Sequence, residues 1–253
     1  MVVEFERRGR IGLITLNRPE ARNAVNGDVA SGMEAALDAL EQDDELWVGI
    51  VTANGPVFCA GADLKEIAAG NGAALSTERG GFAGIVRRER EKPLIAAIPG
   101  TAVAGGCEIA LACDLIVAAE ETVFGLPEVK RSLVAAAGGL FRLPRALGRA
   151  TALEMIMTGD PIPAARAHAL GMVNEVVPKD QVMDAAQALA DRICANAPIA
   201  VRESRKVALG FSDDDASLWK ASGAAMGVVA RTEDFAEGPK AFVEKRAPQW
   251  KGR

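Results

Sequence analysis

Two glutamates stand where apolar sequence would otherwise continue. Glu108 interrupts the run AVAGGCEIALAC, and Glu128 follows VFGLP, an apolar strand end leading into a turn. A carboxyl group in such surroundings is either paired with a cation or carries a shifted pKa. Two such acids in different environments can hold different protonation states, as acid–base chemistry requires. The plainer readings are that Glu108 pairs with a nearby arginine and that Glu128 is a solvated acid at a helix start. Two turns of small residues accompany them. Gly105-Gly106 lies just ahead of Glu108, and Ala60-Gly61-Ala62 ends the strand-like start of VFCAGADLKE. Small residues let the main chain approach a ligand, and N–H groups at a helix start lack partners. Two convergent N–H donors would form an oxyanion hole, although each turn taken singly reads as an ordinary tight turn.

Other chemistries find little support. His168 is the single histidine and lies in an Ala-rich helix beside its Gly stop, where a surface or helix-end role is ordinary. No Gly-x-Ser-x-Gly elbow occurs, which sets aside a Ser-His-Asp hydrolase. Cysteines 59, 107, 113 and 194 form no Cys-x-x-Cys pair and no zinc cluster, so free thiols in a reducing cytoplasm are expected and no metal. No Gly-x-Gly-x-x-Gly follows a strand and no Gly-Lys-Ser/Thr occurs. The 253 residues are 49% apolar and 25% charged, suited to one large domain or a domain with a small appendage. A net charge of −5 without a basic face argues against nucleic-acid binding. The amino terminus has no basic segment ahead of an apolar one, so no signal peptide is expected. The apolar stretch 94–119 is broken by Pro99-Gly100 and carries Glu108 and Asp114, so it reads as strand, turn, helix and strand rather than a membrane span. Asp114 reads as a structural acid satisfying backbone N–H groups.

The elements that must position these residues follow from periodicity. FERRGRIGLITLN predicts a hairpin through Arg8-Gly9-Arg10, and DVASGMEAALDALEQDD predicts a helix burying Met33, Ala36, Leu37 and Leu40. WVGIVTA reads as a strand. Residues 64–92 read as a mobile loop leading into a helix at the charged RRERE. Strands LIAAI, LIVAA and TVFG then alternate with helices, the first of them over about 106–112. Helices ending at Gly171 and spanning DQVMDAAQALADRICANAP flank one more strand, and the tail from Ala200 is helix-forming.

In combination these segments resemble the enoyl-CoA hydratase (crotonase) family. The resemblance runs through LNRPEARNAV, VFCAGADLKE, AVAGGCEIALACDLIVAAEETVFGLPEVK, GGLFRLPRALG, TGDPIPAARAHALGMVNEVVP and EGPKAFVEKR. It implies an α/β fold, a spiral of repeated ββα turns over 1–195, with a helical C-terminal trimerisation region over 196–253. Trimers, or hexamers made of two trimers, are expected. Position by position, it carries an oxyanion hole onto the backbone N–H groups of Ala62 and Gly105, and the catalytic carboxylates onto Glu108 and Glu128. It points to Arg22, Lys65 and Ala60 for coenzyme A, with Phe242 and Lys245 reaching a neighbouring subunit's coenzyme. Coenzyme A is here part of an acyl-CoA substrate, and no separate cofactor is expected. Where many relatives carry GLIPGAGGTQRL, this chain has SLVAAAGGLFRL, and Ala136 replaces a glycine whose N–H helps position the water.

The activity that the resemblance implies is reversible hydration of a 2-enoyl-CoA thioester in the cytoplasm, as part of lipid metabolism. The alternatives are an enoyl-CoA isomerase, which works with one carboxylate, a carnitinyl-CoA-type dehydratase, and a non-catalytic protein that binds acyl-CoA or RNA.

Overall fold

Alternation along four adjacent strands decides the main sheet. Strands β1 (Val3–Arg8) and β2 (Ile11–Leu16) form the expected hairpin, and β3 (Val48–Ala53) follows helix α1 (Gly27–Gln42). After β4 (Val57–Cys59), the two-residue strands β5 (Ser76–Thr77) and β6 (Gly81–Phe82) pair with each other. Then come β7 (Leu94–Ile98), β8 (Thr101–Val103), β9 (Leu115–Ala119), β10 (Val123–Gly125), β11 (Ile162–Pro163) and β12 (Glu175–Val177). The six-stranded sheet has the order β1-β2-β3-β7-β9-β12, parallel from β2 onward. Ile14, Leu16, Val51, Leu94, Ala96, Ile98, Ile116 and Ala118 enter one core, against α1. Their neighbours Ile11, Leu13, Ile50, Ile95, Ala97, Val117 and Ala119 enter a second core. That core is closed by α7 (Val182–Cys194) through Val182, Ala186 and Ala190. Strands covered on both faces read as continuous apolar runs, which is why LIAAI and LIVAA carry no polar residue.

The computed structural model describes residues 1–210, 224 and 226–253, apart from the side chains of residues 239, 242 and 243. Within them a second sheet has the order β11-β10-β8-β4, in which β4, β8 and β10 run parallel. Each turn of chain gives one strand to each sheet: β3 then β4, β7 then β8, β9 then β10. This is the α/β spiral of ββα turns that the resemblance implies. Asn26 caps α1 by accepting the N–H of Val29, and α1 buries Met33, Ala36, Leu37 and Leu40 as its spacing predicts. Helices α2 (Leu64–Ala68), α3 (Gly105–Ala112), α4 (Gly139–Leu147), α5 (Arg149–Thr158) and α6 (Ala164–Ala169) precede α7. Helices α8 (Pro198–Leu209) and α9 (Glu233–Glu244) follow it. None among the described residues is long and apolar enough to cross a membrane.

One expectation fails. The segment 64–92 holds α2, a 3-10 turn at Gly72–Leu75 and the β5–β6 pair, but no helix forms at RRERE. Ala83 and Gly84 adopt φ of 55° and 69°, which turns the chain out of a helical path. Beyond them Arg88 pairs with Asp38, and Arg90 pairs with Asp114 and donates to the carbonyl of Ala112. Tertiary partners for the arginines override a charge pattern that suits a solvated helix.

Candidate functional site

The three parallel strands of the smaller sheet end side by side, and each delivers part of one site. Strand β4 runs into Ala60-Gly61-Ala62, β8 into Ala104 and the start of α3, and β10 into the 3-10 turn Pro127–Arg131 that carries Glu128. Open parallel sheets place ligands beyond these carboxyl ends. Ala60, Ala62, Gly105, Glu108, Glu128 and Ala136 all line one cavity of 720 Å³ there.

The backbone explains the small residues of the first turn. Val25 pairs with Ala62 as a parallel bridge: the N–H of Val25 donates to Gly61 O at 2.8 Å, and that of Asp63 to Val25 O at 2.9 Å. Those bonds use the residues on either side of Ala62, so its own N–H points away from Val25 and has no protein partner among the described residues. Gly61 has φ of 94°, and a Cβ on it would lie 2.9 Å from the nitrogen of Gly105. Only glycine lets the two turns approach so closely. Gly105 opens α3, where the first N–H groups have no intrahelical acceptor.

Ala104 fixes the direction of the Gly105 N–H. Its own N–H donates to Gly125 O, and its carbonyl accepts the N–H groups of Cys107 and Glu108. It is held at φ 51° and ψ −131°, a conformation that strains any residue with a Cβ by about 1–3 kcal/mol. Ala104→Gly is therefore expected to raise the melting temperature while lowering kcat about three- to tenfold, because the peptide is no longer held in one orientation. Equal melting temperature and equal kcat in the variant would contradict this.

Glu108 is 3% exposed. Its Oε1 accepts the N–H of Gly139 at 2.9 Å at the start of α4, and no cation among the described residues forms an ion pair with it, so the ion-pair reading of Glu108 does not hold there. Burial pushes its pKa up to about 7, assisted by the charge of Glu128 and opposed by the N–H groups of Gly139 and Ala137 and the Arg142 cation. Burial raises the pKa of Glu128 also, and its Oε2 is buried with no partner among the described residues. A buried acceptor left open by the protein is a place for a water or a substrate group.

The raised pKa has a consequence for stability. With Glu108 near 7 when folded and 4.5 as its usual value, the folded chain binds the proton more tightly between those pH values. Its stabilising contribution is then full below about 4.5 and is lost as the pH rises through about 7. Ionised at pH 8, the group costs about 3 kcal/mol relative to its protonated form. Glu108→Gln keeps the shape and the acceptor for Gly139. It is expected to melt about 5 °C above the unsubstituted protein at pH 8, with the gap narrowing toward pH 5. Calorimetry at the two pH values checks this, and a gap independent of pH would contradict it.

The remaining candidates divide. Arg22 lines the cavity, whereas Lys65 is exposed on α2 and does not. The N–H of Ala136 donates to Val134 O at 2.8 Å, and it is the N–H of Gly139 that reaches a carboxylate. Lys245 is exposed just beyond α9 and does not line the cavity, and the side chain of Phe242 lies outside the described residues. Ser76, Thr77, Gly81 and Phe82, from the segment after α2, complete one wall. His168 sits exposed in the last turn of α6 with Nδ1 2.9 Å from Val173 O, away from this chemistry. Asp114 accepts the N–H of Leu94 at 2.8 Å, as a structural acid would. All four cysteines are free, and among the described residues no three His, Cys, Asp or Glu side chains group as a metal site.

Three contributors escaped the residue-by-residue reading. Gly139 is one, although Gly138-Gly139 ahead of a helix repeats the signal that singled out Gly105-Gly106. Asn23 is another: it is buried and donates to the carbonyls of Asn54 and Val57 while accepting the N–H of Arg18. Arg18 is the third. Its pair with Asp63 at 2.7 Å ties the loop after β2 to the turn that presents Ala62. That hydrogen bond, with the N–H of Lys65 also on the carboxylate, holds the pKa of Asp63 below its usual value.

Comparison with known proteins shows the family. The model of the Enoyl-CoA hydratase/isomerase family matches residues 6–253. The chain belongs to the enoyl-CoA hydratase/isomerase family. Among its relatives in this family, the mevalonyl-coenzyme A hydratase of Aspergillus fumigatus is 40% identical over 94% of this chain and 90% of its own. The carnitinyl-CoA dehydratase of Salmonella typhi is 41% identical over 99% and 98%. The crystal structure of an enoyl-CoA hydratase from Mycobacterium tuberculosis H37Rv superposes with a TM-score of 0.95 at 45% identity, covering 100% of this chain and 99% of that one. The spiral expected from the resemblance is thus the fold of this enoyl-CoA hydratase/isomerase family member.

Proposed function

We propose that this protein is a hydro-lyase that reversibly adds water across the double bond of a 2-enoyl-CoA thioester, giving a 3-hydroxyacyl-CoA. The observation that carries this reading is the pairing of buried Glu108 with half-buried Glu128, whose Oε2 is an open acceptor, beside two backbone N–H groups without partners among the described residues, all in one cavity. The thioester oxygen lies between the N–H groups of Ala62 and Gly105. A water lies between Glu108 and Glu128. Its oxygen attacks the β-carbon while its proton passes to the ionised Glu108. The π electrons move onto the thioester oxygen, where the two N–H groups stabilise the enolate charge. Glu128 delivers a proton to the α-carbon as the thioester carbonyl re-forms. Run backward, the same steps dehydrate a 3-hydroxyacyl-CoA.

Arg22, Ala60 and Lys65 are assigned to the coenzyme A portion, with Phe242 and Lys245 contributed across a trimer or hexamer. The coenzyme is substrate, and the chemistry uses no further cofactor. The name carnitinyl-CoA dehydratase, borne by a relative 41% identical, favours the dehydration direction as a second reading for some acyl groups. Movement of the double bond alone needs one carboxylate, and the presence of a second in the same cavity favours hydration.

The test is a panel of enoyl-CoA and 3-hydroxyacyl-CoA esters with the purified protein, products identified by mass. Interconversion differing by one water supports the assignment and names the acyl group. Binding without turnover across the panel would overturn it.

A further inference from the structure

A second cavity, of 1120 Å³, lies behind the wall of the first, with Val86 lining both. Arg142 spans the division: it lines the second cavity and donates to the carbonyls of Val86 and Ala137, which line the first. In an acidic chain of net charge −5, seven Arg and Lys residues against five Asp and Glu residues among the described residues line this space. They come from the end of α1, from the segment after β6, from the residues just after α3, from α4 and from α8.

Among the described residues, Arg88, Arg90, Arg202 and Arg205 share few carboxylates. Asp114 engages both Arg90 and Arg205, and Asp38 engages both Arg88 and Arg79. The Nε atoms of Arg88 and Arg202 are nevertheless buried with no hydrogen-bond partner among the described residues. The Nε of Arg205 is 2.9 Å from Asp114 Oδ1 but lacks the alignment of a hydrogen bond. Arg90 is depressed in pKa by burial and by the charge of Arg205, opposed by Asp114, and Arg142 by burial and by the charge of Arg90. Crowded, desolvated guanidinium groups with open donors are what a multiply charged oxyanion satisfies, through charge-assisted hydrogen bonds. An apolar ligand would leave those donors unpaired.

We propose that this second cavity is a binding site for a small multivalent oxyanion, a polyphosphate or a polycarboxylate, held by Arg88, Arg202 and Arg205 and separate from the acyl-CoA cavity. The site stands on geometry outside the proposed reaction, so it can hold or fail whatever the outcome of the enzyme assay.

Isothermal titration of the full chain at fixed ionic strength, with pyrophosphate in one arm and citrate in the other, tests it. Saturable binding of one anion per chain is expected, weakened at least tenfold in Arg202→Gln and unchanged in Arg22→Ala. Saturating coenzyme A should leave it in place. The tighter of the two anions names the ligand class. Arg202 carries no ion pair among the described residues, so its replacement should leave the fold intact, which a thermal melt verifies. Loss of binding in Arg22→Ala, or displacement by coenzyme A, would assign the anion to the first cavity and overturn the proposal. Absence of saturable heat with both anions, or equal affinity in Arg202→Gln, would overturn it as well.

Discussion

Glu108→Gln is expected to lower kcat for hydration by about 10³-fold, within the range of about 10²–10⁴ that a positioned acid or base supplies. The amide keeps the acceptor for Gly139, so the fold and the substrate cavity should persist and KM should change little. What disappears is a group whose pKa of about 7 lets it take a proton from water near neutrality. The sign follows from its role as base: the ionised form is the active one, so kcat in the unsubstituted protein rises as the pH rises through about 7. The residual activity of Glu108→Gln should lack that rise. Glu128→Gln should fall by a comparable factor, since the two acids hold one water and act as a unit. A loss below about tenfold in either variant, in a protein that melts normally, would contradict the two-carboxylate account.

Ala62→Pro is the second large effect. Proline removes one N–H, and at this position it removes little else, because the bridge to Val25 uses Gly61 O and the N–H of Asp63. Loss of one oxyanion donor typically costs about 3–4 kcal/mol of transition-state stabilisation, so kcat should fall about 10²–10³-fold. Ala62→Gly retains the N–H and should keep most of the activity. If the glycine variant lost as much as the proline variant, the methyl group rather than the donor would matter.

The regular part of this fold is written in local periodicity. Strands β2, β3, β7 and β9 alternate between two cores, and α1 and α7 carry apolar residues at helical spacing, so a short window of sequence suffices for each. Glu108 and Glu128 stood out for a related reason: each interrupts an apolar run. The segment 64–92 was not legible, because its path is set by Asp38 and Asp114 pulling on Arg88 and Arg90 from distant elements. The brace of Arg18 on Asp63 and the N–H of Gly139 on Glu108 join residues 45 and 31 positions apart. Neither side of such a contact advertises its partner. The arginine-lined cavity gathers α8 with the ends of α3 and α4, and only the folded chain brings those together. The roles of Ala62 and Gly105 came from the family resemblance, since a small residue in a turn does not by itself say where its N–H points.

The most direct test of the central claim is turnover of a 2-enoyl-CoA ester in ¹⁸O-labelled water, followed by mass spectrometry of the product. The account predicts a single ¹⁸O in the hydroxyl at C3, incorporated about 10³-fold more slowly in both Glu108→Gln and Glu128→Gln than in the unsubstituted protein. An unlabelled product with a shifted double bond, or label incorporated in either variant at a rate within about tenfold of the unsubstituted protein, would contradict it.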